Sequence, residues 1–147
     1  MQRPCFHLSI PAVDLDCCVA WYRELLGCRP GRRSPVAAIL DFHGHQLVLQ
    51  LDKGPGLQPQ QGIYPRHFGL VFATLAEWDF LRERLERHQA DFAVPPKCRY
   101  RGEALEHHTF FLQDPSGNWL EFKHYSNPEA VLGCSAISEV GDRDLRG

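Results

Sequence analysis

The chain has no apolar run approaching the roughly 20 residues that a membrane-crossing helix requires. It has no excess of either charge: the formal net charge is -2 over 147 residues. Such a balance sets up no field to draw in nucleic acid or an anionic membrane. The basic clusters at 29–33 and 99–101 are short and isolated, and read as solvated loops. Six cysteines are present (Cys5, Cys17, Cys18, Cys28, Cys98 and Cys134), with no CxxC pair and no zinc-finger spacing. The start, MQRPCFHLSIP, has one arginine, then an apolar stretch too short for the core of an export signal, then a proline. The expectation is a cytoplasmic chain with reduced thiols, several of them buried, acting on a small molecule rather than on nucleic acid or membrane.

What the chain does have is an internal echo. HLSIPAVDL (residues 7–15) aligns with HFGLVFATL (residues 67–75). His7 then falls on His67, Leu8 on Phe68, Ile10 on Leu70 and Asp14 on Thr74. DFHGHQLVLQ (41–50) aligns with DPSGNWLEFK (114–123), with Gly44 on Gly117, Leu47 on Leu120 and Val48 on Glu121. Each half repeats one order of elements. Residues 5–10 alternate as a half-buried strand that Pro11 should end. Asp14 is placed to cap a helix whose apolar positions are Leu15, Cys18, Val19, Tyr22 and Leu26, with Gly27 just past its end. Short extended pieces within 32–42, a turn at 43–45 and a strand at 46–51 follow. Residues 52–65 (DKGPGLQPQQGIYP) read as a linker. Residues 66–72 alternate again. Thr74 and Glu77 form a capping box, and Leu75, Trp78, Leu81, Leu85 and His88 mark a second helix. A short strand at 92–94 precedes Pro95-Pro96, 97–106 reads as a polar loop, and 108–113 and 119–124 form a hairpin around Asp114-Pro-Ser-Gly117.

The fold class expected is α+β: two paired βαβββ modules forming a curved mixed sheet around a metal cleft. One domain spans 1–125, with module one at about 4–52 and module two at about 65–125; 126–147 is a tail. Each half has one helix to cover one sheet face, so the second module is expected to cover the other.

Alternation sets the direction of the side chains. Phe6 and Leu8, Phe68 and Leu70, and Leu120 and Phe122 suit a face under a helix, which turns His7, His67 and Glu121 to the opposite face. Two neutral imidazoles and one carboxylate can take one triangular face of a divalent ion and leave positions open. That donor set suits Fe(II), with Mn(II) close behind and Zn(II) possible. His107 and His108 are candidate proton carriers. Lys123 and Trp119 share the face of Glu121 and are candidates for contact with substrate. His43 and His45 flank a turn and read as exposed, and Trp21, Tyr22, Trp78 and Phe80 read as helix packing residues.

These residues resemble the vicinal oxygen chelate superfamily, which includes glyoxalase I, extradiol dioxygenases, fosfomycin-resistance enzymes and bleomycin-resistance proteins. The resemblance covers about residues 5–125, and FFLQDPSGNWLEF (110–122) is its most specific piece. It implies a metal held by His7, His67 and Glu121, a small-molecule substrate and a homodimer that often exchanges modules between subunits. The fourth ligand of glyoxalase I-type members falls on Val48, which cannot coordinate. The tyrosine of extradiol dioxygenases falls on Phe111. The threonine of fosfomycin-resistance enzymes falls on Ser9, which keeps a hydroxyl, but their arginine falls on Ala130. The reading favoured is a dioxygenase-like metalloenzyme. Its alternatives are a metal-dependent lyase, isomerase or thiol transferase of the same superfamily, and a metal-free drug-sequestering protein.

Overall fold

Local signals account for most of the element boundaries. In a computed structural model, describing residues 2–54, 60 and 62–141, the first module is β1 (His7–Ala12), α1 (Leu15–Leu26), β2 (Arg29–Arg33), β3 (Ala37–Phe42) and β4 (His45–Leu51). The second is β5 (Phe68–Val71), α2 (Leu75–Arg87), β6 (Val94–Arg99), β7 (His107–Gln113) and β8 (Trp119–Tyr125), followed by α3 (Glu129–Leu132). Residues 55–59 and 61 of the linker and 142–147 of the tail lie outside the described residues. Asp14 caps α1 by accepting from Cys17 N at 3.0 Å, and Gly27 ends it at φ 70, a left-handed conformation that costs glycine nothing. Thr74 caps α2 by accepting from Glu77 N at 3.1 Å.

The modules are two four-stranded mixed sheets, ordered β1-β4-β3-β2 and β5-β8-β7-β6. In each, the first strand runs parallel to the last and the others are antiparallel. The fold is therefore α+β with two paired βαβββ modules.

Three assignments differ from the sequence expectation: residues 29–33, read as a solvated loop, form the exposed edge strand β2, and the other two involve proline on an edge strand. β1 continues through Pro11 to Ala12. It pairs only with β4 among the described strands, so the missing amide costs no ladder bond on its open side. β6 likewise runs through Pro95 and Pro96 to Arg99, where a polar loop was expected from Lys97 onwards. It is the outer strand of its sheet, and its register shifts between Val94 and Lys97, so the prolines sit in an irregularity that the edge tolerates.

The helix-covered faces of both sheets join one core, including Tyr22, Leu40, Leu47 and Leu49 of module one and Leu85, Phe110, Leu120 and Phe122 of module two. The rings of Phe42 and Phe122 lie 6.3 Å apart across the boundary, and Arg84 on α2 donates to the Glu24 and Leu25 carbonyls at the end of α1. His43 is exposed, as expected, although its ring bonds the Leu26 carbonyl at 2.9 Å and lies edge-on to Phe72, whereas His45, also expected to be exposed, is half-buried. Phe80, expected to pack, is 67% exposed. The modules of one chain thus meet through their helix sides, and neither covers the other's opposite face as the sequence reading supposed.

Candidate metal centre and cleft

Glu121 lies on β8 opposite Gly69 of β5, and its side chain is 12% exposed. A Cβ at Gly69 would run into the Glu121 backbone carbonyl, so only glycine lets β5 come this close to the strand that carries the carboxylate. Thr109, buried on β7, donates to Glu121 Oε2 at 2.6 Å. Lys123 Nζ stands 3.6 Å from Oε1. Burial alone would lower the Lys123 pKa, but the Glu121 charge and the Tyr125 hydroxyl together lift it above the usual lysine value.

His67 Nε2 faces Glu121 Oε1 at 3.4 Å. Its Nδ1 is 2.6 Å from the Ile63 carbonyl oxygen, which can only accept, so Nδ1 carries a proton. In the neutral ring Nε2 is then a lone pair aimed at a carboxylate oxygen. Two donors each about 2.1 Å from a metal and at right angles about it lie about 3.0 Å apart, so the pair is spaced to share a cation. The Phe111 ring lies 5.4 Å from the His67 ring, edge to face, and limits how that imidazole turns.

His7 is prepared in the same way. Its Nδ1 donates to Gln46 Oε1 at 2.6 Å, across the β1–β4 register, which leaves Nε2 unprotonated in the neutral ring. Val48, equivalent to Glu121 in the echo, is buried and supplies no ligand. Among the described residues no three His, Cys, Asp or Glu groups converge on one point within the chain. The fold brings His67 and Glu121 together and leaves His7 apart on the other sheet.

Ser9, His67 and Trp119 line one cleft of about 740 Å³, with Gln113, Arg66 and Pro11 completing its wall. That volume is within the range that holds a small organic ligand. Lys123 is not in this wall but beside Glu121 on the same strand.

The two candidate proton carriers part company. His108 points under α2: its ring lies 5.3 Å from Trp78, and its Nδ1 is buried with no hydrogen-bond partner among the described residues. His107 is on the Glu121 side, 7% exposed, between the Tyr100 and Tyr125 rings. Its Nδ1 donates to the Leu105 carbonyl at 2.8 Å. Burial, with the Lys123 and Arg99 charges adding, pushes its pKa below the ordinary 6.5. A depressed histidine takes up its proton more readily in the unfolded chain. Its contribution to stability is therefore complete above pH 6.5 and is lost as pH falls from there through the folded value. His107→Asn should flatten the loss of unfolding free energy between about pH 7.5 and about pH 5, measured by urea titration. An unchanged slope would mean that His107 is not held neutral by the fold.

Sequence reasoning missed Thr109 as the group that fixes Glu121, and Gln46 as the partner of His7. The signal for Thr109 was available. With Phe110 and Leu112 in the core, the alternate positions His107, Thr109 and Phe111 must share the face of Glu121. The two buried cysteines are poorly suited to act as nucleophiles: burial and the Asp41 charge push Cys28 up to about 12, and Cys18 is raised by burial.

Comparison with known proteins agrees with this architecture. A structure described as a glyoxalase/bleomycin resistance protein/dioxygenase from Alicyclobacillus acidocaldarius is 40% identical, with a TM-score of 0.81, over 87% of this chain and 96% of that one. An uncharacterised protein of Pseudomonas aeruginosa is 29% identical over 135 residues, 80% of this chain and 86% of its own. A genomically encoded fosfomycin resistance protein from Listeria monocytogenes, 15% identical with a TM-score of 0.67, matches over 89% of this chain and all of its own and shares the fold. The family model of the Glyoxalase/Bleomycin resistance protein/Dioxygenase superfamily matches residues 5–122, both modules from β1 to the Glu121 strand, and the chain belongs to that superfamily.

Proposed function

We propose that the protein is a small-molecule metalloenzyme, dioxygenase-like, whose metal is held by His67 and Glu121 of one subunit and His7 of a second subunit in a homodimer. The observation that carries this reading is the His67–Glu121 pair, a lone-pair nitrogen and a carboxylate oxygen 3.4 Å apart with their other atoms already tied to Ile63 and Thr109. His7, held by Gln46 and part of no group of three metal-ligating residues among the described residues, supplies the third donor in this reading. Fe(II) or Mn(II) fits this donor set best, and Zn(II) is compatible with it. When bound, such an ion acts as a Lewis acid and binds two neighbouring oxygens of a substrate.

The chain's own residues do the remaining work. Thr109, by its hydrogen bond, and Lys123, beside Oε1, hold Glu121 in place. Ser9 and Trp119 border the cleft that receives the substrate. Phe111 packs on His67 where related dioxygenases have a tyrosine, so the proton-accepting role falls to His107. His107 is neutral at physiological pH and presents Nε2, since its Nδ1 proton is committed to Leu105. That same Phe111 favours the second reading, a metal-dependent lyase, isomerase or thiol transferase. Oxygen uptake by the Fe(II)-loaded protein with a panel of catechols supports the dioxygenase. Turnover with no oxygen consumed supports the second reading.

Subunit sharing is tested by mixing. His7→Ala and His67→Ala each lose metal alone. If the centre is built from two chains, unfolding and refolding them together restores about a quarter of the wild-type sites, because each mixed dimer has one centre with all its donors. A centre built within one chain would show no recovery.

A further inference from the structure

The tail beyond β8 is held firmly at its root and lightly at its tip. At the root, Ser126 N donates to the Glu106 carbonyl at 3.1 Å, and the Ser126 hydroxyl donates to the Glu106 carboxylate. That carboxylate also accepts from Gly102 N at 2.9 Å, and the two hydrogen bonds hold its pKa below the usual carboxylate range. The tail is thus tied where it starts to the loop between β6 and β7. After α3 the chain reverses: Cys134 is at φ 55, and Ile137 N donates to the Cys134 carbonyl at 2.9 Å. It then runs to Gly141, with Ser135, Ala136, Ser138, Glu139 and Val140 all exposed along the way.

Gly141 meets two tyrosines at once. Its carbonyl accepts from the Tyr100 hydroxyl at 3.5 Å. A Cβ on it would run into the Tyr64 hydroxyl, and its φ is 69, so both space and conformation favour glycine there. Behind each tyrosine stands one imidazole of the proposed centre. The Tyr64 ring lies 5.9 Å from His67, and the Tyr100 ring 6.1 Å from His107. Tyr100 is itself held at φ 52, a conformation that residues with a bulky side chain seldom adopt. Tyr64, Gly141 and Tyr100 therefore bridge the gap from His67 to His107.

We propose that residues 133–141 are a strap that closes the Glu121 side of the second sheet, with Gly141 as its latch, and that release of Gly141 from Tyr64 and Tyr100 opens the way for substrate to His67 and His107. That these imidazoles serve a metal reaction rests on the function proposed above; the strap does not. Thr109, Phe111 and His107 are buried on this side, although module one of the same chain leaves it uncovered. Two features make the latch separable from the fold. Its hydrogen bond to Tyr100 is at the long limit for such a bond, and the exposed residues that lead to it bury little apolar surface, so opening costs far less than unfolding. The root, tied to Glu106, keeps the open tip close to both tyrosines, so reclosure is an intramolecular step.

The test uses the full chain, metal-free, treated with diethyl pyrocarbonate, which acylates neutral imidazoles. Peptide mass spectrometry reads each histidine separately. Gly141→Val spoils the fit of the latch and Tyr100→Phe removes its hydroxyl, while both keep the rings that stand on His67 and His107. In Gly141→Val, His107 should react about tenfold faster than in wild type and His67 faster as well, with a smaller rise in Tyr100→Phe. His88, exposed at the end of α2, should react at one rate in all three proteins. The strap is overturned if neither variant speeds the reaction of His67 or His107, or if His88 accelerates by the same factor, which would mean a general loosening of the chain. Mn(II) titration of the same samples keeps the two readings apart. A labelling response in protein that takes up no Mn(II) would keep the strap and sink the metal centre; Mn(II) uptake with no labelling response would do the reverse.

Discussion

Glu121→Ala is expected to lose divalent-metal affinity by about 100-fold or more, the upper end of what removal of a group that only supports a metal ligand costs. Three losses add in the same direction. The carboxylate is the one anionic donor of the proposed set, so its removal leaves the ion facing neutral nitrogens. Lys123, 3.6 Å from Oε1, would keep its charge with nothing to balance it and would repel the incoming cation. Thr109 would lose its acceptor at a buried position. Glu121→Gln separates these effects: it keeps the side chain's size and a hydrogen-bond partner for Thr109 but removes the charge, so it should fall between alanine and wild type. Thr109→Val, which removes only the group that aims the carboxylate, should cost about tenfold. Equilibrium dialysis with elemental analysis, on anaerobically purified protein, measures all three. If Glu121→Ala retains one equivalent of metal at wild-type affinity, the proposed centre is wrong.

How much of this was readable beforehand depends on the range of the interaction. The period of two along the strands put His67 and Glu121 on one face, and it rested on neighbours such as Leu120 and Phe122 that turned out to be fully buried. Asp14, Gly27 and Thr74 marked helix ends because capping is settled within a few residues. The β6 strand was hidden because Pro95-Pro96 is a breaker everywhere except at a sheet edge, and edge status is a property of the whole sheet. His107 and His108 were indistinguishable as a dipeptide, although the phase of Phe110 and Leu112 already separates them. The meeting of the modules through their helix sides was not legible at all. It depends on Tyr22 reaching Asp114 and on Phe42 reaching Phe122, pairs far apart along the chain with nothing in their local sequence to link them.

Asp114→Ala is expected to destabilise the protein by roughly 3–5 kcal/mol, the combined cost of leaving several neutral buried donors without their acceptor. Asp114 sits in the β7–β8 turn and is 4% exposed. Its Oδ1 accepts from the Ser116 and Asn118 amides, both at 2.9 Å. Its Oδ2 accepts from the Tyr22 hydroxyl at 2.7 Å and from Asn118 Nδ2 at 2.8 Å. Tyr22 is fully buried on α1, and burial followed by the Asp114 charge pushes its pKa well above the ordinary 10, so it stays a neutral donor. The turn reaches module one at two further points: Ser116 Oγ accepts from Val13 N at 2.9 Å, and Asn118 Nδ2 donates to the Pro11 carbonyl at 3.0 Å. One carboxylate therefore orders the turn and ties it to the other module. Its removal leaves a buried phenol and two amides without acceptors. At this chain length the melting temperature should fall by roughly 10 °C or more. Tyr22→Phe removes one donor, leaves Asp114 three, and should cost about 1–2 kcal/mol. Asp114→Asn should lie between them, because its amide group must turn two hydrogens towards atoms that are already donors. The hairpin so anchored carries both Thr109 and Glu121, so Asp114→Ala should also weaken metal binding, whereas Glu121→Ala should leave the melting temperature within a few degrees of wild type. Scanning calorimetry and metal titration on the same samples decide the matter: a fall of less than about 3 °C in Asp114→Ala would show that the modules are joined by their apolar core alone.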